Sequence, residues 1–125
     1  MRITPVLLCL GAATLALGAC VANTVEIDTY PAAVTDRDMA TAKAAIAYQL
    51  KDPDSAKFRD LAGYSTSAGD VILCGEVNGT NSFGGYAGFQ PFFVRLRAGK
   101  AVIATLEGAA FACGAAQRGH MKVSS

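Results

Sequence analysis

Apolar residues recur at steps of three and four from Met39 to Leu50, and this spacing predicts an amphipathic helix. Thr35 and Asp38 stand ahead of it at the spacing of a capping box, which marks a helix start. Pro53 ends the helix, because proline cannot donate the next backbone hydrogen bond. The apolar face of this helix therefore needs a surface to pack against.

From Lys57 onward the period changes to two, which is typical of strands with one buried face. Turn-forming residues separate the alternating runs. Strands are predicted over 57–64, 71–78, 92–97 and 101–106. Residues 107–114 are small and apolar, and we expect a last short strand or turn there.

These elements predict an α+β fold, in which one N-terminal amphipathic helix packs on a small antiparallel sheet of four to five strands. We expect this domain over 35–116 and a flexible tail over 117–125, where the sequence is polar. The chain of 125 residues has room for one such domain.

The N-terminal segment has the pattern of a signal peptide, predicted over 1–19. Met1-Arg2 carries one positive charge, and the apolar run Val6–Gly18 is shorter than the ~20 residues that cross a membrane. The run ends in Leu17-Gly18-Ala19-Cys20, which resembles the lipobox of bacterial lipoproteins. Cys20 is therefore the predicted lipidation site. Ordinary secretory cleavage nearby, leaving Cys20 as a free thiol, is the alternative.

Lipidation would make Cys20 the new N-terminus and anchor the protein to a membrane. Residues 20–34 are then expected to form the lipidated N-terminus and a tether, with room for a short strand at Thr24–Ile27. Val21 follows the cysteine, where an Asp would be typical of retention in the inner membrane. The resemblance thus implies a bacterial cell envelope protein on the outer membrane, facing the periplasm.

Charge and composition exclude some classes of protein and some kinds of partner. The chain has 11 Lys and Arg against 10 Asp and Glu, a balance that excludes the basic surface of a nucleic-acid-binding protein. Hydrophobic residues make up 52% of the chain, too many for a disordered protein.

Four cysteines divide between three predicted fates. Cys9 leaves with the signal peptide and Cys20 carries the lipid, so Cys74 and Cys113 remain. Since the space outside the inner membrane is oxidising, these two are predicted to form one disulfide. The alternative is a pair of buried free thiols.

The segment from Gly79 to Pro91 combines glycines with aromatic residues, which predicts an ordered Gly/aromatic loop rather than a linker. One interpretation is a binding surface, with aromatic rings and neighbouring polar groups contacting a ligand. The other is that the aromatics close one end of the core while asparagines bond the loop backbone. The candidate binding residues are Glu76, Asn78, Asn81, Ser82, Phe83, Tyr86, Phe89 and Arg95.

Two segments, Asp52–Arg59 and Cys74–Phe92, carry a wider resemblance. They resemble a widespread group of small bacterial exported proteins and lipoproteins that share D-P-x-S-A-x-F-R and C-G-x-V-N…N-S-F-G-G-Y-x-G-F-x-P-F. The resemblance covers about residues 37 to 97. It supports a single domain and implies no activity.

The sequence lacks the residues that hydrolases and calcium-binding loops usually need. The single histidine, His120, lies in the expected tail, and no serine stands in a G-x-S-x-G motif. Asp52 and Asp54 have the spacing that opens a calcium loop, but Lys57 stands where that loop needs glycine. The sequence predicts no catalytic residue, no metal site and no cofactor.

Because successive side chains of a strand point to opposite faces, several cations should share one face of the sheet. We expect a basic patch there for an anionic partner such as a cell-wall polymer or lipid headgroups. A solvated face that discourages edge pairing is the alternative. Glu76 is expected to pair with Arg59 or Arg95. The cations are Lys57, Arg59, Arg95, Arg97 and Lys100.

Together these patterns predict a non-enzymatic envelope lipoprotein that binds a protein partner or a cell-wall component through the Gly/aromatic loop. The alternative is a periplasmic inhibitor or an immunity or exclusion protein that blocks a hydrolase or a toxin.

Overall fold

The computed structural model describes residues 23–80 and 83–124. Within these residues the chain forms an α+β fold of two α-helices and a six-strand antiparallel sheet curled into a half-barrel, with one disulfide. The elements are β1 (Thr24–Pro31), α1 (Asp36–Ala47), a 3-10 turn (Pro53–Ser55), β2 (Lys57–Thr66), β3 (Val71–Asn78), β4 (Gln90–Arg97), β5 (Lys100–Thr105), α2 (Ala109–Arg118) and β6 (His120–Ser124).

The predicted helix and the four predicted strands are present. Thr35 Oγ1 accepts a hydrogen bond from the backbone N–H of Asp38 at 3.2 Å, so the expected cap forms. Ala42 and Ile46 are fully buried on the sheet, with Met39 and Leu50 packed beside them. The amphipathic pattern therefore identified the packing face of α1 correctly.

The sheet order β5-β4-β3-β2-β1-β6 corrects the predicted strand number from four or five to six. The segment 20–34, expected as a tether, contains β1. The first five residues of β1 pair with β6, from Thr24 opposite Ser124 to Asp28 opposite His120. The segment 117–125, expected as a flexible tail, contains β6. Each strand buries one alternating set of side chains, Ile27 and Thr29 on β1 and Met121 on β6, which explains why both are ordered.

The segment 107–114, expected as a short strand or turn, instead begins the helix α2. Alanine, the strongest helix former, fills half of this helix, and Gly119 ends it with a φ of 98°. Ala109, Ala115 and Ala116 are buried against the sheet. None of the described helices is long and apolar enough to cross a membrane.

Two hydrophobic clusters lie on opposite faces of the sheet, because successive residues of a strand point to opposite sides. α1 covers a cluster that includes Leu73, Phe92 and Val94. α2 covers a cluster that includes Ile72 and Phe93. We call these the α1 face and the α2 face.

The disulfide joins the strand β3 to the helix α2, with Cys74 and Cys113 bonded as predicted and their Cα atoms 5.9 Å apart. It fixes the helix on the α2 face near the middle of the sheet.

Candidate functional site

The two motif segments meet at one end of the sheet. β2 begins where β3 ends, with Lys57 opposite Asn78 and Arg59 opposite Glu76. The Gly/aromatic loop leaves β3 at this end and returns into β4 at Gln90. The residues that precede β2 therefore lie beside the loop, although about 25 residues separate them from it in sequence.

Hydrogen bonds attach the loop to the 3-10 turn. Ser55 is the centre of these contacts, since its Oγ accepts from the N–H of Thr80 at 2.9 Å and its carbonyl oxygen accepts from the hydroxyl of Tyr86 at 3.3 Å. Thr80 Oγ1 also donates to Asp52 Oδ2 at 3.2 Å. The loop is thus fixed to a segment outside itself.

The loop is also closed internally. Asn78 Oδ1 accepts from the N–H of Gly88 at 3.0 Å, and the N–H of Ala87 donates to the carbonyl of Gly79 at 3.1 Å. Gly88 has a φ of 105°, a conformation that other residues rarely adopt. Asn78 therefore bonds the loop backbone, as the structural interpretation of the loop predicts.

Two of the three loop aromatics stack with cations of β2. Lys57 Nζ lies 4.4 Å from the centre of the Tyr86 ring, and the Arg59 guanidinium carbon lies 3.8 Å from the centre of the Phe89 ring. Arg59 Nε also bonds Glu76 Oε2 at 2.8 Å, one of the two pairings expected for Glu76. The rings of Tyr86 and Phe89 therefore fix the loop on β2 and do not close one end of the core.

The third aromatic, Phe83, differs from the other two. Its side chain is 97% exposed, whereas Tyr86 is 45% exposed and Phe89 is half-buried. The loop thus uses Tyr86 and Phe89 to fix its own position and presents Phe83 to solvent. The structural interpretation of the loop therefore applies to Tyr86 and Phe89, and the binding interpretation stays a prediction.

Arg95 does not belong to this site. It is only 5% exposed on the α2 face, and its Nε lies 3.5 Å from Asp70 Oδ2 at the opposite end of the sheet. Arg97 bonds the same carboxylate at 2.9 and 3.1 Å, and this hydrogen bond and charge raise the pKa of Arg97. Of the five cations in the expected basic patch, Arg59 therefore pairs with Glu76 at one end of the sheet, and Arg95 and Arg97 pair with Asp70 at the other.

Three predicted residues cannot be placed, because Cys20, Asn81 and Ser82 lie outside the described residues. Of the six candidate binding residues that the structure describes, five lie at or beside the loop and Arg95 does not.

Sequence reasoning missed part of the loop's surroundings. A cavity of about 250 Å³ separates the loop from the end of α1, and the side chains of Gln49, Lys51 and Gln90 line it. Leu50, at its floor, approaches Gly79 so closely that a Cβ there would lie 2.9 Å from Leu50 Cδ1. The only signal for this contact was the apolar face of α1, which continues to Leu50.

A second cavity of about 340 Å³ lies beside the disulfide, between α2 and the middle of β2. Asp60, Glu76 and Gln117 are its polar lining residues. In the part of the chain that the structure describes, no group of three or more His, Cys, Asp or Glu side chains is placed to hold a metal ion.

Comparison with protein-family models, with curated proteins and with solved structures finds no match for the chain. The resemblance of the two motif segments to small exported proteins therefore stays a prediction.

Proposed function

We propose that the chain is a non-enzymatic lipoprotein of the bacterial cell envelope that binds a protein partner through the Gly/aromatic loop. Cys20 would carry the lipid, and the outer membrane, on its periplasmic side, would hold the protein. The conclusion depends most on one observation, the 97% exposure of Phe83 on a loop that is otherwise fixed.

An exposed aromatic on a rigid loop is suited to binding because it loses little conformational freedom when a partner covers it. The hydrogen bonds of Ser55 and Asn78, and the stacking of Lys57 and Arg59, order the loop before any partner arrives. Aromatic side chains are also the residues that most often dominate the energy of protein interfaces. Both considerations favour a protein partner over a small ligand.

The direction of the loop supports the same proposal. β1 runs antiparallel to β2, so Thr24 lies at the end of the sheet where β2 finishes, whereas the loop lies where β2 begins. A lipid on Cys20 would hold the Thr24 end at the membrane. The loop would then point away from the membrane, where a partner can reach it.

Crosslinking in cells tests the proposal. A photo-reactive phenylalanine analogue replaces Phe83 in one variant and Val102, which is also exposed but lies on the edge strand β5, in the control. We expect a discrete crosslinked product from position 83 that position 102 does not give. Identical products from both positions would overturn the proposal, and a product containing glycan would identify a cell-wall component instead.

A second variant tests whether binding needs the fixed position of the loop as well as the Phe83 ring. Ser55→Ala removes the acceptor of the Thr80 N–H without touching Phe83. We expect the crosslinking yield from position 83 to fall severalfold while the domain stays folded, as circular dichroism would show. An unchanged yield would mean that the fixed position of the loop does not matter for binding.

The exposed position of Phe83 also fits the alternative, an inhibitor or immunity protein, because a rigid loop with a projecting ring can enter the cleft of an enzyme. In that case the crosslinked partner is a hydrolase or a toxin, and the purified mature chain lowers its activity. The Phe83→Ala variant should then lose this effect.

A further inference from the structure

A groove lies between the helix α2 and the edge strand β6, with a cavity of about 240 Å³. Phe111, Ala115 and Arg118 line one wall, at the spacing of a single helix stripe, and Met121 and Lys122 line the other. Phe111 is 80% exposed, although Met121 at the floor is buried. The α2–β6 groove therefore combines an uncovered aromatic ring with two cations.

The charges of the groove are only partly compensated. Lys122 Nζ lies 3.5 Å from Glu26 Oε1 on the neighbouring strand, and both side chains are well exposed, so this pair is weak. Arg118 has no ion-pair partner within residues 23–80 and 83–124. An aromatic ring beside cations is the composition of surfaces that lie on anionic membranes.

The groove lies at the end of the sheet where the chain would be anchored. Thr24 pairs with Ser124 and Glu26 pairs with Lys122, so β6 follows the first strand of the domain. The chain from Cys20 to Thr24 can span ~14 Å at most. By contrast, β2 alone extends about 30 Å from this end toward the loop.

We propose that the α2–β6 groove rests on an anionic phospholipid surface, with Phe111 entering the headgroup region and Arg118 and Lys122 contacting lipid phosphates. The proposal rests on the lipid anchor at Cys20 proposed above. The groove then fixes the orientation of the domain on the membrane, and the Gly/aromatic loop faces away from the lipid.

The absence of tryptophan from the sequence makes this orientation measurable. Phe111→Trp introduces a single fluorescent probe in the groove, and Phe83→Trp is the matched control at the opposite end of the domain. Each variant, as the mature lipidated chain, is reconstituted into vesicles of phosphatidylethanolamine and phosphatidylglycerol that contain brominated acyl chains. We expect at least about twofold stronger quenching at position 111 than at position 83, since interfacial side chains reach the acyl boundary.

Several outcomes distinguish this proposal from the one on which it rests. A chain that does not float with the vesicles overturns the lipid anchor. A chain that floats, but in which position 111 is quenched no more than position 83, overturns the orientation alone. Arg118→Glu combined with Lys122→Glu should reduce quenching at position 111 about twofold or more, and unchanged quenching would overturn the contacts of these side chains with lipid phosphates. Equal quenching in vesicles of zwitterionic phosphatidylcholine would overturn the requirement for an anionic surface.

Discussion

The two faces of the sheet are stabilised in different ways. α1 places Ile46 among the large side chains of Leu73, Phe92 and Val94, so burial of apolar area stabilises this face. α2 buries only alanines, each with little apolar area, but a disulfide bonds it to β3. The same face also encloses the ion pair of Asp70 and Arg95.

This difference shows how a helix without large side chains can be held on a sheet. The covalent bond between Cys74 and Cys113 holds α2 on the sheet, because the alanines of α2 bury too little apolar area to do so alone. The buried pair of Asp70 and Arg95 has an effect of another kind, because the buried Arg95 charge is tolerated only while its counter-charge Asp70 is present. The α2 face should therefore respond sharply to single polar or covalent changes, and the α1 face to loss of volume.

Removing the buried carboxylate should have the largest effect. Asp70 is 2% exposed, and Asp70→Asn leaves Arg95 buried without a counter-charge. We expect the free energy of unfolding, measured with urea, to fall by about 3 to 5 kcal/mol. Asp60→Asn is the control, because Asp60 is exposed and its variant should change stability by about 0.5 kcal/mol or less. Equal effects would contradict the distinction.

Removing the disulfide should have the second-largest effect on stability. Cys74→Ala combined with Cys113→Ala should lower the free energy of unfolding by about 3 to 4 kcal/mol, because the bond constrains a long loop in the unfolded chain. Urea unfolding of the oxidised wild type, the reduced wild type and the double variant would measure it. If the oxidised and reduced forms are equally stable, the bond does not hold α2 in place.

On the α1 face, Ile46→Ala removes a fully buried side chain and should cost about 3 kcal/mol of stability. Phe111→Ala removes a larger side chain from α2, but the ring is mostly exposed, so we expect a change of about 0.5 kcal/mol or less. Thermal unfolding of both variants makes the comparison. A larger loss for Phe111→Ala would show that α2 depends on apolar burial after all.

The smallest effect concerns the junction of β1 with α2. Thr29 Oγ1 donates to the carbonyl of Ala116 at 2.6 Å, and Thr29→Val keeps the shape while removing this bond. We expect a loss of about 1 kcal/mol. Thr41→Val is the control on α1, where the hydroxyl bonds the carbonyl of Arg37 at an exposed position. Urea unfolding should show almost no change for it.

The α1 face was predictable and the α2 face was not. Periodicity located the apolar stripe of α1, and alternation predicted β3 at its observed bounds of Val71 and Asn78. The sequence of α2 has small residues on every side, so no period marks a face. Its burial depends on tertiary contacts that bring a disulfide partner from another element.

The candidate site was predictable only in part. Composition identified the Gly/aromatic loop, but the contacts of Ser55 with Thr80 and Tyr86 join segments that local patterns treat separately. Arg95 shares a face with Arg97, as alternation predicts. Its burial depends on Asp70 in the turn before β3, and local patterns did not predict that this carboxylate pairs with Arg95 and Arg97.

The pairing of β1 with β6 has a consequence for the order of folding. The first strand of the domain gains its last neighbour from residues 120–124, near the end of the chain. Contacts between such distant segments form slowly, because a long loop must close first. During synthesis, residues 24–28 can pair with β6 only after residues 120–124 have emerged from the ribosome. The pairing of β1 with β6 is therefore the last contact that can complete the sheet.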